Sequence, residues 1–285
     1  MPTWLITGCS TGIGRALAET VVERGYNAII TARDISTVRS IAVGHPKSAL
    51  VEALDVTDSS RIREVVQHAE EQFGGIDVLV NNAGYGYRAA TEEAPDEDVQ
   101  RLFSTNFMGP VHLIRAVLPG MRARRSGTIF NVSSIGVRLM MAGGGYYAAS
   151  KAALEAMTGS LRKEVGPLGI RAITVEPGGF RTDFAGRSLQ QSPTAIDDYA
   201  NTAGLRRKEN EHAHGTQPGD PRLAAAALIR VAESQDPPGL LLLGQDALAE
   251  FALRRATDDA DVTAWRDVSA STDFETQSSK DHAAV

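Results

Sequence analysis

Seven short apolar runs, separated by stretches whose apolar residues recur at helical spacing, constrain this chain more than anything else in it. The runs are Thr3 to Thr7, Ala28 to Ala32, Leu50 to Leu54, Val78 to Asn81, Thr128 to Val132, Ala172 to Glu176 and Leu240 to Leu243. Between and after them, helices are expected over Gly12 to Arg24, Ser36 to Val43, Ser59 to Phe73, Asp96 to Met121 with a break near Asn106, Tyr146 to Val165, and Arg222 to Glu233. Apolar strands alternating with amphipathic helices predict a parallel sheet covered on both faces, a doubly wound α/β fold. Residues 1–267 are expected to form one domain, and no repeat or linker divides them. The segment 182–220 is long, polar and punctuated by Gly and Pro, and residues 268–285 form a polar tail without periodicity. A loop of the first kind inside a compact domain is usually functional.

Two motifs sit within this rhythm. Thr7-Gly8-Cys9-Ser10-Thr11-Gly12-Ile13-Gly14 joins the first strand to the first helix. Glycines there allow a tight turn and a close backbone approach to a pyrophosphate, and the helix N-terminus offers N–H groups and a positive dipole end. Farther on, Tyr147 stands four residues before Lys151, so in a helix the phenol and the ammonium share one face. A phenol is a poor acid or base at neutral pH, and a nearby Lys charge favours its ionised form. Together the motifs resemble the short-chain dehydrogenase/reductase family, over about Pro2 to Thr182, with a looser likeness beyond. The strings GCSTGIG, Arg33, Trp265 and Ser271 to Phe274 are similar to the bacterial branch near 17β-hydroxysteroid and retinol dehydrogenases. The resemblance implies a Rossmann-type seven-stranded sheet.

By that resemblance Gly8, Ser10, Gly12, Ile13 and Gly14 would hold a dinucleotide, with Asp55 and Val56 at its adenine and Asn82, Ala83 and Gly84 of the Asn81-Asn82-Ala83-Gly84 string beside it. Pro177, Gly178 and Thr182 would hold the nicotinamide carboxamide. The end of the second strand decides the cofactor, because an acid there binds the ribose 2′-hydroxyl of NAD. Ala32 occupies that position and Arg33 follows, as in NADP-preferring members, so NADP(H) is expected. In the competing reading Asp34 binds the ribose, although Asp34 also suits the cap of the next helix. Arg15 has two readings as well, a phosphate ligand or a solvated helix residue.

The resemblance completes the catalytic group. A serine thirteen positions before the tyrosine selects Ser134, leaving Ser133 as a structural partner, and Asn106 matches the asparagine of the long fourth helix. Tyr147 is then the general acid/base, Ser134 the stabiliser of the substrate oxygen, Lys151 the ribose ligand that lowers the tyrosine pKa, and Asn106 the holder of a relay water. Tyr146 would face away from Lys151 and form a pocket wall. Met140, Met141, Phe180 and Phe184 flank the group and suggest a medium or large apolar carbonyl or alcohol substrate, with sheet or interface packing as the other reading of the same residues. The segment 182–220 would close over it.

Composition excludes other classes. A net charge of -6 with no basic run argues against nucleic acid, and Arg122-Ala123-Arg124-Arg125 reads as a helix C-terminus. The single cysteine, Cys9, excludes an intrachain disulfide, fits a reducing compartment and reads as packing under a strand. No apolar stretch approaches a membrane span, so a soluble, cytoplasmic protein is expected. His212 and His214 lie in a polar loop without further ligands, and no metal is assigned. Helices near 109–121 and 146–165 carry small and apolar residues on more than one face, as in a homodimer or homotetramer. Two other classes remain open: a sugar-nucleotide-type epimerase or dehydratase, which shares Tyr-x-x-x-Lys, and a cofactor-binding regulatory protein without turnover. The G-x-x-x-G-x-G spacing and the four retained catalytic positions weigh against them.

Overall fold

The computed structural model describes residues 1–186, 188–207 and 215–274. Its strands are β1 (Thr3–Ile6), β2 (Asn27–Ala32), β3 (Ala49–Ala53), β4 (Val78–Asn81), β5 (Gly86–Arg88), β6 (Gly127–Val132), β7 (Ile170–Pro177), β8 (Leu189–Gln191) and β9 (Leu240–Leu243). Seven of them pair in parallel in the order β3-β2-β1-β4-β6-β7-β9. The helices are α1 (Gly12–Glu23), α2 (Ser59–Phe73), α3 (Asp96–Phe103), α4 (Gly109–Arg124), α5 (Gly136–Leu139), α6 (Gly145–Val165), α7 (Pro221–Glu233), α8 (Gln245–Ala264) and α9 (Arg266–Ala270). The expected Rossmann-type single domain is what forms.

Local rules account for the elements. Asp58 caps α2 by accepting from the N–H groups of Ser60 and Arg61 at 2.9 and 3.0 Å, and Gly74 closes it in the left-handed region at φ 80°. Between these ends Ile62, Val65, Val66 and Ala69 form the buried stripe. One core layer, with Leu17, Val21, Leu228 and Ile229, covers one sheet face, and another, with Val65, Leu113, Val117 and Leu161, covers the opposite face. Arg125, at φ 51°, ends α4 where the basic cluster was read as a C-terminus.

The fourth helix breaks where expected. Ser104–Met108 winds as a π turn between α3 and α4. Pro110 has no N–H for the carbonyl four residues back, which belongs to Asn106, so the regular α-helical bond ladder is interrupted here.

Other expectations need correction. The helix expected over Ser36 to Val43 is two 3₁₀ turns, Ile35–Thr37 and Arg39–Ala42. The segment is short, and the Asp34 carboxylate fixes its start by accepting from Ser36 N–H at 2.9 Å. The segment 182–220 is less irregular than its sequence indicates: it contributes β8, which pairs with β5, and residues 203–207 are helical. The polar tail was expected from 268, yet α8 and α9 continue the helical path to Ala270.

Candidate active site

The sheet order places the crossover between β1, whose chain continues to β2 and β3, and β4, which returns to its other side. In open α/β sheets ligands bind beyond the strand C-termini at this point. A cleft of about 470 Å³ lies there.

One end is built from the glycine turn. Gly8 and Gly12 adopt φ of +72° and +62°. A Cβ on Gly8 would stand 2.9 Å from the Ala83 Cα, and one on Gly12 3.2 Å from the Thr182 side chain, so both line a cradle that a side chain would fill. Thr7 ties the turn to the next loop: its Oγ1 accepts from Asn82 N–H and Ala83 N–H, each at 3.0 Å, and donates to the Val80 carbonyl at 3.2 Å. The Asn82 amide in turn donates to the Thr7 carbonyl at 2.8 Å. Ser10, Thr11 and Ile13 line the cleft with the two glycines, and Thr11 precedes α1 without a side-chain cap. Gly14 does not line it. It packs behind, where a Cβ would stand 2.5 Å from the Gly8 carbonyl, so its glycine serves helix-to-turn packing.

Arg33 reaches the cleft exposed, beside Ala32, while Asp34 is occupied as the cap described above. Arg15 turns away, donating to the Thr37 carbonyl at 2.9 Å and pairing with Glu19. Leu54, Asp55 and Val56 line the adjoining wall, and the Asp55 carboxylate is fixed by Thr57 N–H at 2.9 Å. Cys9 is buried, donates to the Ile6 carbonyl at 3.2 Å, and burial pushes its thiol up to about 12, which leaves it a packing residue.

At the other end Ser133, Ser134, Tyr147 and Lys151 meet Ala83, Gly84, Pro177, Gly178 and Thr182. Ser134 lies beside Tyr147, and its Oγ accepts from Gly136 N–H at 3.0 Å. Burial pushes the Tyr147 phenol up to about 12, with Ser134 opposing. That direction is opposite to the expected lowering by Lys151, and its dominant cause is burial. Lys151 donates to the Val132 carbonyl at 2.8 Å, and burial lowers its ammonium to about 8, with the Glu155 charge pulling it back up. Asn106 is fully buried behind the cleft, donating to the Tyr85 carbonyl at 2.9 Å and to Ser150 Oγ at 3.1 Å. A Cβ on Gly84 would stand 3.0 Å from Asn106 Oδ1 and 3.1 Å from Lys151 Nζ, so the two side chains converge on this glycine.

The walls differ from expectation. Phe180 and Phe184 line the cleft, and the Phe184 ring lies 5.7 Å from that of Tyr147. Met140 and Met141 do not line it, because the chain turns left-handed at Met140 and leaves that side chain exposed. Tyr146 is no wall either: its hydroxyl donates to the Thr91 carbonyl at 2.7 Å and its ring packs beside Tyr87. Tyr85, Arg88, Gln190 and Arg206 line the cleft unanticipated, since they come from segments that no local motif joins. Among the described residues no cluster of metal-ligating groups occurs and no helix is long and apolar enough to cross a membrane. His212 and His214 lie outside the described residues.

Residues 2–193 match the family described as short chain dehydrogenase. An oxidoreductase of Botryotinia fuckeliana is 36% identical over 267 residues, which cover 93% of this chain and 97% of that relative. A 3-ketodihydrosphingosine reductase of Bacteroides thetaiotaomicron is 36% identical over 82% of this chain and 84% of its own length. The crystal structure of a short-chain dehydrogenase from Streptomyces avermitilis superposes with a TM-score of 0.89 at 39% identity, covering 96% of this chain and all of that one.

Proposed function

The chain belongs to the short-chain dehydrogenase/reductase family, and from that premise we propose that it is an NADP(H)-dependent oxidoreductase acting on a carbonyl or secondary alcohol. The observation that carries this reading is the meeting of Ser134, Tyr147 and Lys151 at one end of a cleft whose other end is the glycine cradle. The cradle fits a dinucleotide, because Gly8 and Gly12 leave room that any Cβ would fill and the uncapped start of α1 faces the same space.

When bound, the nicotinamide supplies or accepts the hydride. The remaining work falls to the chain. In the reduction direction Tyr147 gives its Oη proton to the substrate oxygen as negative charge develops there, and burial keeps that phenol protonated at neutral pH. Ser134 donates to the same oxygen and stabilises the charge. Lys151 holds the nicotinamide ribose and Asn106 positions the water through which a proton reaches the site from solvent. Arg33 pairs with the 2′-phosphate, with Ala32 leaving no carboxylate to oppose it. Gly8, Ser10, Gly12 and Ile13 hold the pyrophosphate, Asp55 and Val56 the adenine, Asn82, Ala83 and Gly84 the middle of the cofactor, and Pro177, Gly178 and Thr182 the carboxamide.

The substrate is a medium or large molecule whose apolar part rests on Phe180 and Phe184, and the described residues 188–191, which carry β8, close over it. The name of the Bacteroides relative, a ketone reductase, agrees with that class. The test is a scan of NADPH oxidation against aldehydes, ketones, steroids and quinones. Turnover of at least one ketone supports the reading, and no turnover in either direction across the panel contradicts it.

A further inference from the structure

A cluster of buried charge lies directly behind the catalytic serine and has no part in the reaction above. Glu155 stands one helical turn beyond Lys151 on α6. Its Oε1 accepts from Ser133 Oγ at 2.5 Å, and its Oε2 accepts from Arg138 Nη2 at 2.8 Å. Arg138, on α5, also donates from Nε to Glu176 Oε2 at 3.1 Å and from Nη2 to Glu176 Oε1. Glu176 is wholly buried, immediately before the Pro177-Gly178 turn. The guanidinium lies over the Phe251 ring at 5.4 Å, and Asp258, held by Arg254 at 2.6 Å, acts on it from the side of α8.

Three of the segments that supply the reacting end of the cleft are therefore tied to one guanidinium, directly or through Glu155: the Ser133-Ser134 turn, the helix of Tyr147 and Lys151, and the end of β7. The balance of charge is unequal. Glu155 and Glu176 share a single arginine, so with both ionised the buried group carries an excess negative charge, and Lys151 is the next cation along α6. With the Glu176 charge this close, Glu155 does not ionise freely.

We propose that Glu155 is a positioning residue: with Glu176 and Arg138 it forms a hydrogen-bonded charge cluster that clamps the Ser133-Ser134 turn against α6 and sets the charge felt by Lys151. Burial, helped by the Glu176 charge, pushes Glu155 up to about 7, while Ser133 and Arg138 pull it down. The sign of the coupling to Lys151 follows from Coulomb attraction. Ionised Glu155 favours the ammonium, and its neutralisation lets Lys151 lose its proton at lower pH. The effect on turnover rests on the oxidoreductase reading, whereas the protonation of Glu155 does not.

Two measurements separate these. With glutamate carboxyl carbons isotope-labelled and followed by NMR against pH, the wild-type protein should show one glutamate titrating near neutrality. Glu155→Gln should abolish that signal, and Ser133→Ala, which removes a donor to the carboxylate, should move its midpoint upward. Glutamates that all titrate in the ordinary acid range, or a near-neutral signal that survives Glu155→Gln, would overturn the cluster. For turnover, the probe is NADPH with whichever panel ketone the wild type reduces. Glu155→Gln should move the alkaline fall in kcat to lower pH, and an unmoved alkaline limb would overturn the coupling to Lys151. If no ketone is reduced, the oxidoreductase reading fails, and the NMR titration still decides the cluster.

Discussion

Gly14 and Asn82 meet with no space for a methyl group between them: a Cβ on Gly14 would stand 2.4 Å from the Asn82 amide nitrogen. That amide is the one that bonds the carbonyls of Thr7 and Gly8, so the two family strings, one after β1 and one after β4, form a single interlocked corner. Gly14→Ala should therefore weaken both fold and cofactor binding although Gly14 does not line the cleft. Overpacking of a tight site costs about 1–3 kcal/mol. Denaturant titration with and without NADPH checks it, and unchanged stability in the variant would show that the corner is softer than its geometry implies.

Cofactor preference follows from the end of β2. A charge-assisted contact contributes roughly 1.5–3 kcal/mol, or about ten- to a hundredfold in affinity, so wild type should favour NADPH over NADH by about that factor. The double variant Ala32→Asp with Arg33→Ala should invert the preference, because the new carboxylate repels the phosphate and accepts the ribose hydroxyl. A higher kcat/KM with NADH in the wild type would make Asp34 the ribose ligand, in place of its role as the cap of the next turn.

Burial of Lys151 has a consequence for stability. Its ammonium is lowered from 10.5 to about 8 in the fold, so between those values the unfolded chain binds more protons than the folded one. Stability should then rise with pH through this window, and the cost of burying the charged form is present in full below it. Lys151→Met should remove that rise. Melting temperatures measured across the window test it, and parallel curves for the two proteins would contradict the assignment.

The outward faces of α4 and α6 carry half-buried apolar residues, among them Val111, Ala152 and Ala153. A homo-oligomer packed through these helices is expected, and light scattering after size exclusion should give at least twice the chain mass of 30.4 kDa. A clean monomer at micromolar concentration would count against it.

How much of this was legible depended on whether the signal was local. Each of the seven sheet strands was visible because a strand covered on both faces reads as a continuous apolar run. The break at Asn106 was visible because asparagine favours competing backbone bonds in a helix. The strands β5 and β8 were not, since three-residue strands whose paired residues lie 103 positions apart carry no period of their own. Nor was α8, whose outer half buries almost nothing and so shows little apolar stripe. In the site, Ser134 and Tyr147 stood in recognisable strings, whereas the bonds from Arg138 to Glu155 and Glu176 join three segments and could be found only once the chain was folded. The phenol of Tyr147 is the instructive failure: spacing placed Lys151 near it, but burial, which spacing does not report, is what moves its pKa.

The most direct test is Tyr147→Phe, which keeps the ring against Phe184 and removes only the hydroxyl that carries the proton. NADPH affinity, followed by fluorescence titration, should stay within a few-fold of wild type, while kcat for the reduced ketone should fall by ~10²-fold or more. A variant that binds NADPH normally and retains turnover within a few-fold of wild type would contradict the assignment of Tyr147 as the general acid.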